Sequence, residues 1–193
     1  MIYTIGHSTR SIDDLIALLN AHGVMQLADI RSVPKSRRHP HFSGEALAMS
    51  VPAAGIAYRH FPGLGGLRKP RRDSTNTAWR HSGFRGYADH MQTPEFDRAL
   101  ADLIEWSAQA SATSVGVTPE RSRAKASASG APRVVMMCAE AVWWHCHRQL
   151  TADALVARGV EVRHITSAHA ATPHALTDFA RVVGGRVTYP GLI

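Results

Sequence analysis

Short apolar runs alternate with amphipathic stretches along most of the chain. Runs rich in β-branched and aliphatic residues predict strands, and they lie at 2–6, 24–32, 56–61, 133–138 and 160–165. Apolar residues at helical spacing predict helices at 11–23, 43–55, 93–110, 145–159 and 172–185, with 186–190 as an edge strand. This alternation predicts one α/β domain over residues 1–193, with three α/β/α layers and a mainly parallel, Rossmann-like sheet of about five strands.

Two segments depart from this alternation. Residues 62–86 are rich in Gly and Arg and are predicted as a long loop. Residues 111–132 contain mostly small side chains and scattered charges. This composition predicts a flexible Ser/Ala-rich surface insertion between a helix and a strand, to which we assign no function.

Length and composition narrow the class of protein. The 193 residues, 45% of them hydrophobic, are enough for one sizeable core. No stretch approaches the ~20 apolar residues of a membrane-spanning helix, and no signal-peptide pattern opens the sequence. The two cysteines, Cys138 and Cys146, are too few for a disulfide framework. We therefore expect a cytoplasmic protein with reduced thiols and no membrane partner.

Positive charge is concentrated in the segment 31–85, called the basic segment below. The formal net charge of the chain is +7, but the basic segment holds eleven Lys or Arg and two acids, so it carries +9 and the remainder −2. Aromatic residues lie among these charges, as a phosphate backbone with stacked bases would require. A solvated basic face is the alternative explanation, and the sequence leaves both open.

Polar residues of chemical interest follow the predicted strands. His7 comes just after the first strand, Arg31 is at the end of the second, and Cys138 and Glu140 are at the end of the fourth. Open parallel sheets bind ligands outside the carboxyl ends of their strands. We therefore expect these side chains to share one edge of the sheet.

Four residues are candidates for catalysis. Glu140 borders an apolar segment, and partial burial would raise its pKa and suit acid/base work; a helix-terminal acid is the alternative. Cys138 at a strand end is a possible nucleophile with a lowered pKa, or a buried core thiol. His7 and His147 would assist, His147 as a general acid or as a hydrogen-bonded brace for its loop.

A second set of residues is predicted to bind an anion. The turn "GHST" precedes a helix whose free N–H groups would face the same edge, with Gly6 permitting a tight turn. Arg148 is expected to point at the ligand, because a guanidinium pairs bidentately with phosphate or carboxylate. Asp29 would orient an arginine or the substrate. The predicted set is Gly6, Ser8, Thr9, Asp29, Arg31, Ser36, Arg37, Tyr87 and Arg148.

The two cysteines allow two further alternatives. Cys138, Cys146 and a histidine would suit zinc, with His7 as a fourth ligand. The spacing matches no zinc-finger or zinc-ribbon pattern, so no cofactor is predicted and zinc stays an alternative. A thiol redox protein is the other alternative, and it requires the two sulfurs within bonding reach.

Several motifs in a fixed order carry a family resemblance. They are "TIGHSTR", "DIRSVPKSR", "LGG", "GFRGYADHM", "CAE", "CHR" and "AD". Together they resemble the bacterial and archaeal domain-of-unknown-function family numbered four-eighty-eight, which implies an α/β fold and no established reaction. The chain departs from the family's pattern at 142–144, where "VWW" replaces polar residues, and in its long 111–132 segment. The positions that the resemblance groups together are Gly6, His7, Ser8, Asp29, Arg31, Pro34, Ser36, Gly86, Tyr87, Cys138, Glu140, Cys146, His147 and Arg148.

These observations favour an enzyme that acts on a phosphate-bearing substrate, a nucleotide or a nucleic-acid base, by general acid/base chemistry. Glu140 would be the acid/base, with Arg31 and Arg148 binding the anion. One alternative is a non-catalytic nucleic-acid-binding protein that uses the basic segment. The third hypothesis is the thiol or metal redox protein. The expected partner is thus a phosphate-bearing small molecule or a nucleic acid.

Overall fold

A computed structural model describes residues 1–112 and 133–191. Within these ranges the α-helices are α1 Ile12–Ala21, α2 Gly44–Ala53, α3 Ser82–His90, α4 Pro94–Ala112 and α5 Arg148–Val156. The strands are β1 Ile2–Gly6, β2 Val24–Asp29, β3 Ala57–His60, β4 Arg133–Cys138, β5 Val162–Ser167, β6 Ala170–Pro173, β7 Arg181–Val183 and β8 Arg186–Thr188. The predicted insertion at 111–132 lies, from residue 113 onward, outside the described residues.

Six strands form the central sheet in the order β3-β2-β4-β1-β5-β6. The first five are parallel, and β6 pairs antiparallel with β5 at the edge. The sheet has a packed core on each face. One core contains apolar side chains of α3, α4 and α5, and the other contains those of α1 and α2. The structure therefore confirms the predicted three-layer, mainly parallel α/β fold.

The local signals for helix starts correspond to observed caps. Ser11 caps α1 by accepting from the Asp14 backbone N–H at 3.0 Å, and the Asp14 carboxylate accepts in return from the Ser11 N–H. This capping box satisfies backbone donors that a helix start leaves unpaired. α1 then buries Leu15 and Leu19 against the sheet, as the apolar spacing of this stretch predicts.

The helix predicted at 172–185 was wrong, and this stretch contains the end of β6 and β7 instead. The strand predicted at 186–190 is present as β8, which pairs with β7 in a separate two-stranded sheet. The buried Asp153 of α5 accounts for the difference. Its carboxylate accepts hydrogen bonds from the Thr177 N–H and hydroxyl and from the Tyr189 hydroxyl, and lies 2.8 Å from Nε2 of His174. These tertiary contacts override the Thr-Pro helix-start signal of this segment.

A buried hydrogen-bonded chain extends from Asp153 into the sheet. His174 Nδ1 lies 2.9 Å from His164 Nε2, and His164 Nδ1 lies 2.7 Å from the Thr4 hydroxyl. The Trp143 ring stacks on His164 at 4.0 Å between centroids. Polar groups are buried at little cost when every member of such a chain has a partner. This series of hydrogen bonds therefore fixes α5, β5 and the C-terminal segment against β1.

A second difference concerns the predicted loop at 62–86, whose last residues begin α3. The two glycines in "GFRGYADHM" weaken the helix signal of this segment. Gly86 is required because a Cβ there would collide with the backbone of Arg68 and Lys69. Asp89, 4% exposed, accepts hydrogen bonds from Ser74 and Asn76 and fixes the preceding loop on the helix.

Three strands are joined beyond their ends at the carboxyl edge. The backbone N–H groups of His7 and Ser8 donate to the carbonyls of Cys138 and Ala139, both at 2.9 Å. The Ile30 N–H donates to the Met137 carbonyl at 3.0 Å. The loops after β1, β2 and β4 are thus held to one another, which is the requirement for a pre-formed site at this edge.

No helix within residues 1–112 and 133–191 has the length and apolarity to cross a membrane.

Candidate active site

A cavity of about 430 Å³ opens at the carboxyl edge of the sheet. The loops after β1, β2 and β4 form part of its wall, and residues before and within α3 form another part. The lining residues are His7, Arg31, Ser32, Val33, Lys35, Ser36, Gly66, Leu67, His81, Gly83, Phe84, Tyr87, Cys138, Ala139, Glu140, His145, Cys146 and His147. The cavity therefore lies where the strand topology favours ligand binding.

Two thiols meet in this cavity. Cys138 ends β4, and Cys146 directly precedes the residues that open α5, after a 3-10 turn at Trp143–His145. Their sulfurs are 3.0 Å apart, about 1 Å more than the ~2.05 Å of a disulfide bond. Both are free thiols, and Cys146 is the more exposed, at 8% against 2%. The sequence predicted Cys138 as a nucleophile or a core thiol, and it left the pairing of the two sulfurs as the redox alternative.

Arg148 holds the loop between the two cysteines. Its side chain is buried, and Nη2 donates to the carbonyls of Glu140 at 2.5 Å and Ala141 at 3.2 Å. Its Nε and its backbone N–H both donate to the Cys146 sulfur, at 3.2 and 3.4 Å. The sequence predicted that Arg148 would face the ligand. The structure places its guanidinium behind the thiol pair, because the loop carbonyls would otherwise be buried without donors.

These contacts shift the pKa values of the two thiols in opposite directions. The hydrogen bond from Cys138, with the charge and donors of Arg148, lowers the pKa of the Cys146 thiol to about 6 despite its burial. Burial, followed by the neighbouring Cys146, raises the pKa of Cys138. At neutral pH the pair is thus a Cys146 thiolate that accepts a hydrogen bond from the Cys138 thiol.

Gly6 permits the loop of Cys138 and Glu140 to lie against β1. A Cβ at this position would collide with the Glu140 carbonyl and approach Nη2 of Arg148 to 2.9 Å. Glycine is needed at this position because there is no room for a Cβ atom. Gly6 is thus part of the support of the thiol pair, whereas the sequence predicted it in the anion-binding turn.

Replacement of Gly6 by Ala is expected to lower the free energy of unfolding by about 3 kcal/mol, because the collision is with backbone atoms that cannot move without separating β1 from the loop after β4. Urea denaturation would measure the change. The variant should also lower the reactivity of Cys146, since its loop must shift. An unchanged midpoint of unfolding would contradict this account of the contact.

His7 is held as a neutral imidazole facing the cavity. It stacks on Phe42 at 4.1 Å, and Nδ1 lies 3.0 Å from the Ser8 carbonyl, so Nδ1 carries the proton. Burial lowers the pKa of His7 to about 4, and Nε2 is left as an acceptor 3.4 Å from Nη1 of Arg31. A ring with this tautomer is equipped to accept a proton at Nε2.

Arg31 is largely occupied by its own partners. Its Nε and Nη2 donate to the two oxygens of Asp29 at 2.8 and 2.5 Å, and Nη1 donates to the Phe42 carbonyl. The Tyr58 hydroxyl also donates to Asp29, at 2.9 Å. The expectation that Asp29 orients an arginine thus agrees with the geometry. The pair is neutral overall, so Arg31 brings less positive charge to the cavity than the sequence suggested.

His147 joins the start of α5 to the end of β2. Its Nε2 donates to the Ile30 carbonyl at 3.0 Å, and burial lowers its pKa to about 4. Gly66 lies against the same ring, where a Cβ would collide with Nδ1. Of the two predicted roles, the geometry is that of the brace, although His147 lines the cavity.

The remaining predicted residues divide into two groups. Glu140, Ser36 and Tyr87 line the cavity, and Ser8, Thr9 and Arg37 are not among its lining residues. The N–H groups of His7 and Ser8 are already bonded to carbonyls, so the "GHST" turn offers an anion fewer donors than predicted. Tyr87 is 1% exposed and its hydroxyl bonds the Leu64 carbonyl and Thr151, which braces α3 against α5.

Several lining residues were not predicted, namely Ser32, Val33, Lys35, Gly66, Leu67, His81, Gly83, Phe84, Ala139 and His145. Six of them lie in the loops that follow β2 and β3, which have no periodic pattern to place them relative to the sheet. The interleaving of aromatic and basic residues was the available signal for Phe84.

The described part of the chain, residues 1–112 and 133–191, contains no group of three or more His, Cys, Asp or Glu side chains arranged to hold a metal ion. The zinc alternative therefore gains no support from these residues.

Comparison with known proteins gives one match. A family model described as domain of unknown function DUF488 matches residues 11–123 and 118–155. No curated protein matches the chain. No solved structure matches it either.

Proposed function

Because the chain belongs to the DUF488 family, as its motifs predicted, and the family's description names no reaction, we propose a function from the pocket itself. The protein is an enzyme in which the Cys146 thiolate attacks an electrophilic centre of a substrate bound in the cavity. Cys138 is the resolving thiol. Such a reaction requires reduced thiols, and we place it in the cytoplasm.

One observation carries this proposal. The Cys146 sulfur lies in the cavity wall, receives two hydrogen bonds from Arg148, and is 3.0 Å from a second thiol. A thiolate stabilised by an adjacent cation and hydrogen-bond donors is the usual form of a reactive cysteine. A structural thiol needs neither the donors nor a position in a cavity.

Cys146 reacts first because its thiol is more acidic than that of Cys138. With a disulfide RSSR as the electrophile, the Cys146 thiolate attacks one sulfur, forms a Cys146–SR bond and releases RS⁻. The Cys138 thiol then gives its proton to the released RS⁻ and attacks the Cys146 sulfur. This forms the Cys138–Cys146 disulfide and releases a second RS⁻, which takes a proton from water. The protein gives up two electrons and the substrate gains them; two equivalents of a free thiol then reduce the Cys138–Cys146 disulfide and return the protein to its starting state.

Trapping the intermediate tests the proposal. The purified protein would be mixed with hydroxyethyl disulfide, a small uncharged disulfide, and followed by intact-mass spectrometry. The wild type is expected to end as the internal disulfide with no adduct. Cys138→Ala should accumulate a mixed disulfide on Cys146, because the resolving thiol is missing.

Cys146→Ala is the matched variant, and it should form adduct far more slowly because the remaining thiol is 2% exposed and has a raised pKa. Equal adduct formation on Cys138 in this variant would refute the assignment of the nucleophile. Absence of adduct in every variant, with reaction only after denaturation, would refute the thiol mechanism itself.

Acid/base chemistry on a phosphate-bearing substrate is the second candidate. It is favoured by Glu140 and His7, which line the same cavity as the thiols. Glu140→Gln separates the two candidates. It should leave disulfide trapping intact if Cys146 does the chemistry alone. It should abolish turnover of a phosphate ester or a nucleotide if Glu140 is the acid/base.

A further inference from the structure

We infer that the protein binds a single-stranded nucleic acid, held by cationic side chains beside the pocket mouth while one base enters the cavity. This inference shares with the proposed function only the cavity that Cys146 lines. The binding itself is measured separately, so each can fail alone.

Many cations of the basic segment have no carboxylate partner among the residues that the structure describes. Four of its eleven pair with acids: Arg31 with Asp29, Arg59 with Asp102, Arg68 with Glu95, and Arg71 with Asp73. The other seven have no carboxylate within 4.0 Å among the described residues, and they are Lys35, Arg37, Arg38, Lys69, Arg72, Arg80 and Arg85. Like charges at this density repel one another unless an anion neutralises them. A phosphate backbone provides such an anion.

These cations adjoin lining residues of the pocket on two separate stretches of chain. On one stretch Lys35 and Ser36 line the cavity, and Arg37 follows them directly. On the other stretch 81–84 contributes three lining residues, and Arg80 and Arg85 come immediately before and after it in the sequence. A mononucleotide bound in the cavity has its phosphates at one place. Cations next to two separate parts of the pocket wall suit a nucleic-acid strand whose backbone passes across the mouth.

The pocket wall suits a base. Phe84 lines it and stacks on Trp79 at 4.8 Å with nearly parallel rings, so its ring plane is fixed. Val33 and Leu67 line the same cavity and are 54% and 82% exposed, which leaves apolar surface at the entrance. Single-stranded nucleic acids bind to this combination of a cationic track and apolar or aromatic surfaces for unpaired bases. A cavity of about 430 Å³ is within the range of small-molecule sites.

Fluorescence anisotropy with a labelled oligothymidine of about 12 nucleotides, titrated at several KCl concentrations, tests the inference. The log of the affinity should fall linearly with the log of the salt concentration, by roughly 0.7 for each phosphate contacted. Arg37→Ala with Arg38→Ala should weaken binding about tenfold in low salt and flatten the slope by roughly 1.4. The control is Arg98→Ala with Arg163→Ala, which removes equal charge outside the basic segment and should leave the affinity within about twofold.

Three results would overturn the inference. They are no binding at the lowest salt concentration, equal weakening in the control, and salt-independent binding that thymidine monophosphate competes for equally well. Bound oligothymidine should also slow the alkylation of Cys146 by iodoacetamide. Binding without this protection would refute the part of the inference in which a base enters the cavity. Strand binding without thiol chemistry would thus refute the proposed function alone.

Discussion

Replacement of Cys138 by Ala is expected to move the titration midpoint of the Cys146 thiol from about 6 to above 7. The hydrogen bond from Cys138 is the largest contribution that lowers the pKa of Cys146, and Ala cannot donate one. At pH 6.5 the fraction of Cys146 present as thiolate should therefore fall roughly fivefold to tenfold. The rate of iodoacetamide alkylation of Cys146, measured by mass spectrometry across pH 5 to 9, gives the midpoint directly.

Cys138→Ser is the control for the Ala variant. A hydroxyl of similar size still donates a hydrogen bond to the thiolate, so the midpoint should lie between those of the wild type and Cys138→Ala. The midpoint is the quantity to compare, because the plateau rate also changes with thiol basicity. A midpoint that is the same in all three proteins would show that Arg148 alone sets the acidity of Cys146.

The protein is expected to lose on the order of 5 kcal/mol of its free energy of unfolding between pH 6.5 and pH 4. Burial lowers the pKa of His7 to about 4, of His147 to about 4 and of His164 to about 3, against 6.5 in the unfolded chain. Below pH 6.5 the unfolded chain binds protons that the folded chain does not. Stability is therefore complete above pH 6.5 and falls as the pH approaches the folded-state values.

Urea denaturation at several pH values would measure this loss, and each depressed histidine contributes at most about 1.4 kcal/mol per pH unit. His147→Gln keeps a donor for the Ile30 carbonyl and removes one titrating group, so its stability should depend less steeply on pH. A stability that is constant down to pH 4.5 would refute the neutral, buried state of these rings.

The regular part of the fold could be predicted because its signals are local. Alternating strand and helix patterns, with the capping box of α1, specify the parallel sheet. The C-terminal segment could not be predicted in this way. Thr172 and Pro173 match the sequence pattern of a helix start. Only the position of Asp153 in the folded protein explains why this segment forms β6 and a hairpin instead.

The candidate site, like the fold, could be predicted only in part. The carboxyl-edge rule indicated where the pocket would be, and four predicted residues near strand ends line it: His7, Arg31, Cys138 and Glu140. The partnership of Cys138 with Cys146 depends on a loop that turns back on itself, and this turn has no sequence signature. The burial of Arg148 has the same cause, because its acceptors are backbone carbonyls and the sequence of side chains does not reveal them.

The network around Asp153 also bears on where the folding unit ends. The family match stops at residue 155, within α5. Three of the residues that bond the Asp153 carboxylate, His174, Thr177 and Tyr189, lie beyond that boundary. A fragment trimmed to residues 11–155 would leave a buried carboxylate without these partners and would lack three strands of the central sheet, β1, β5 and β6. The segment that sequence comparison recognises is thus shorter than the segment that must fold together.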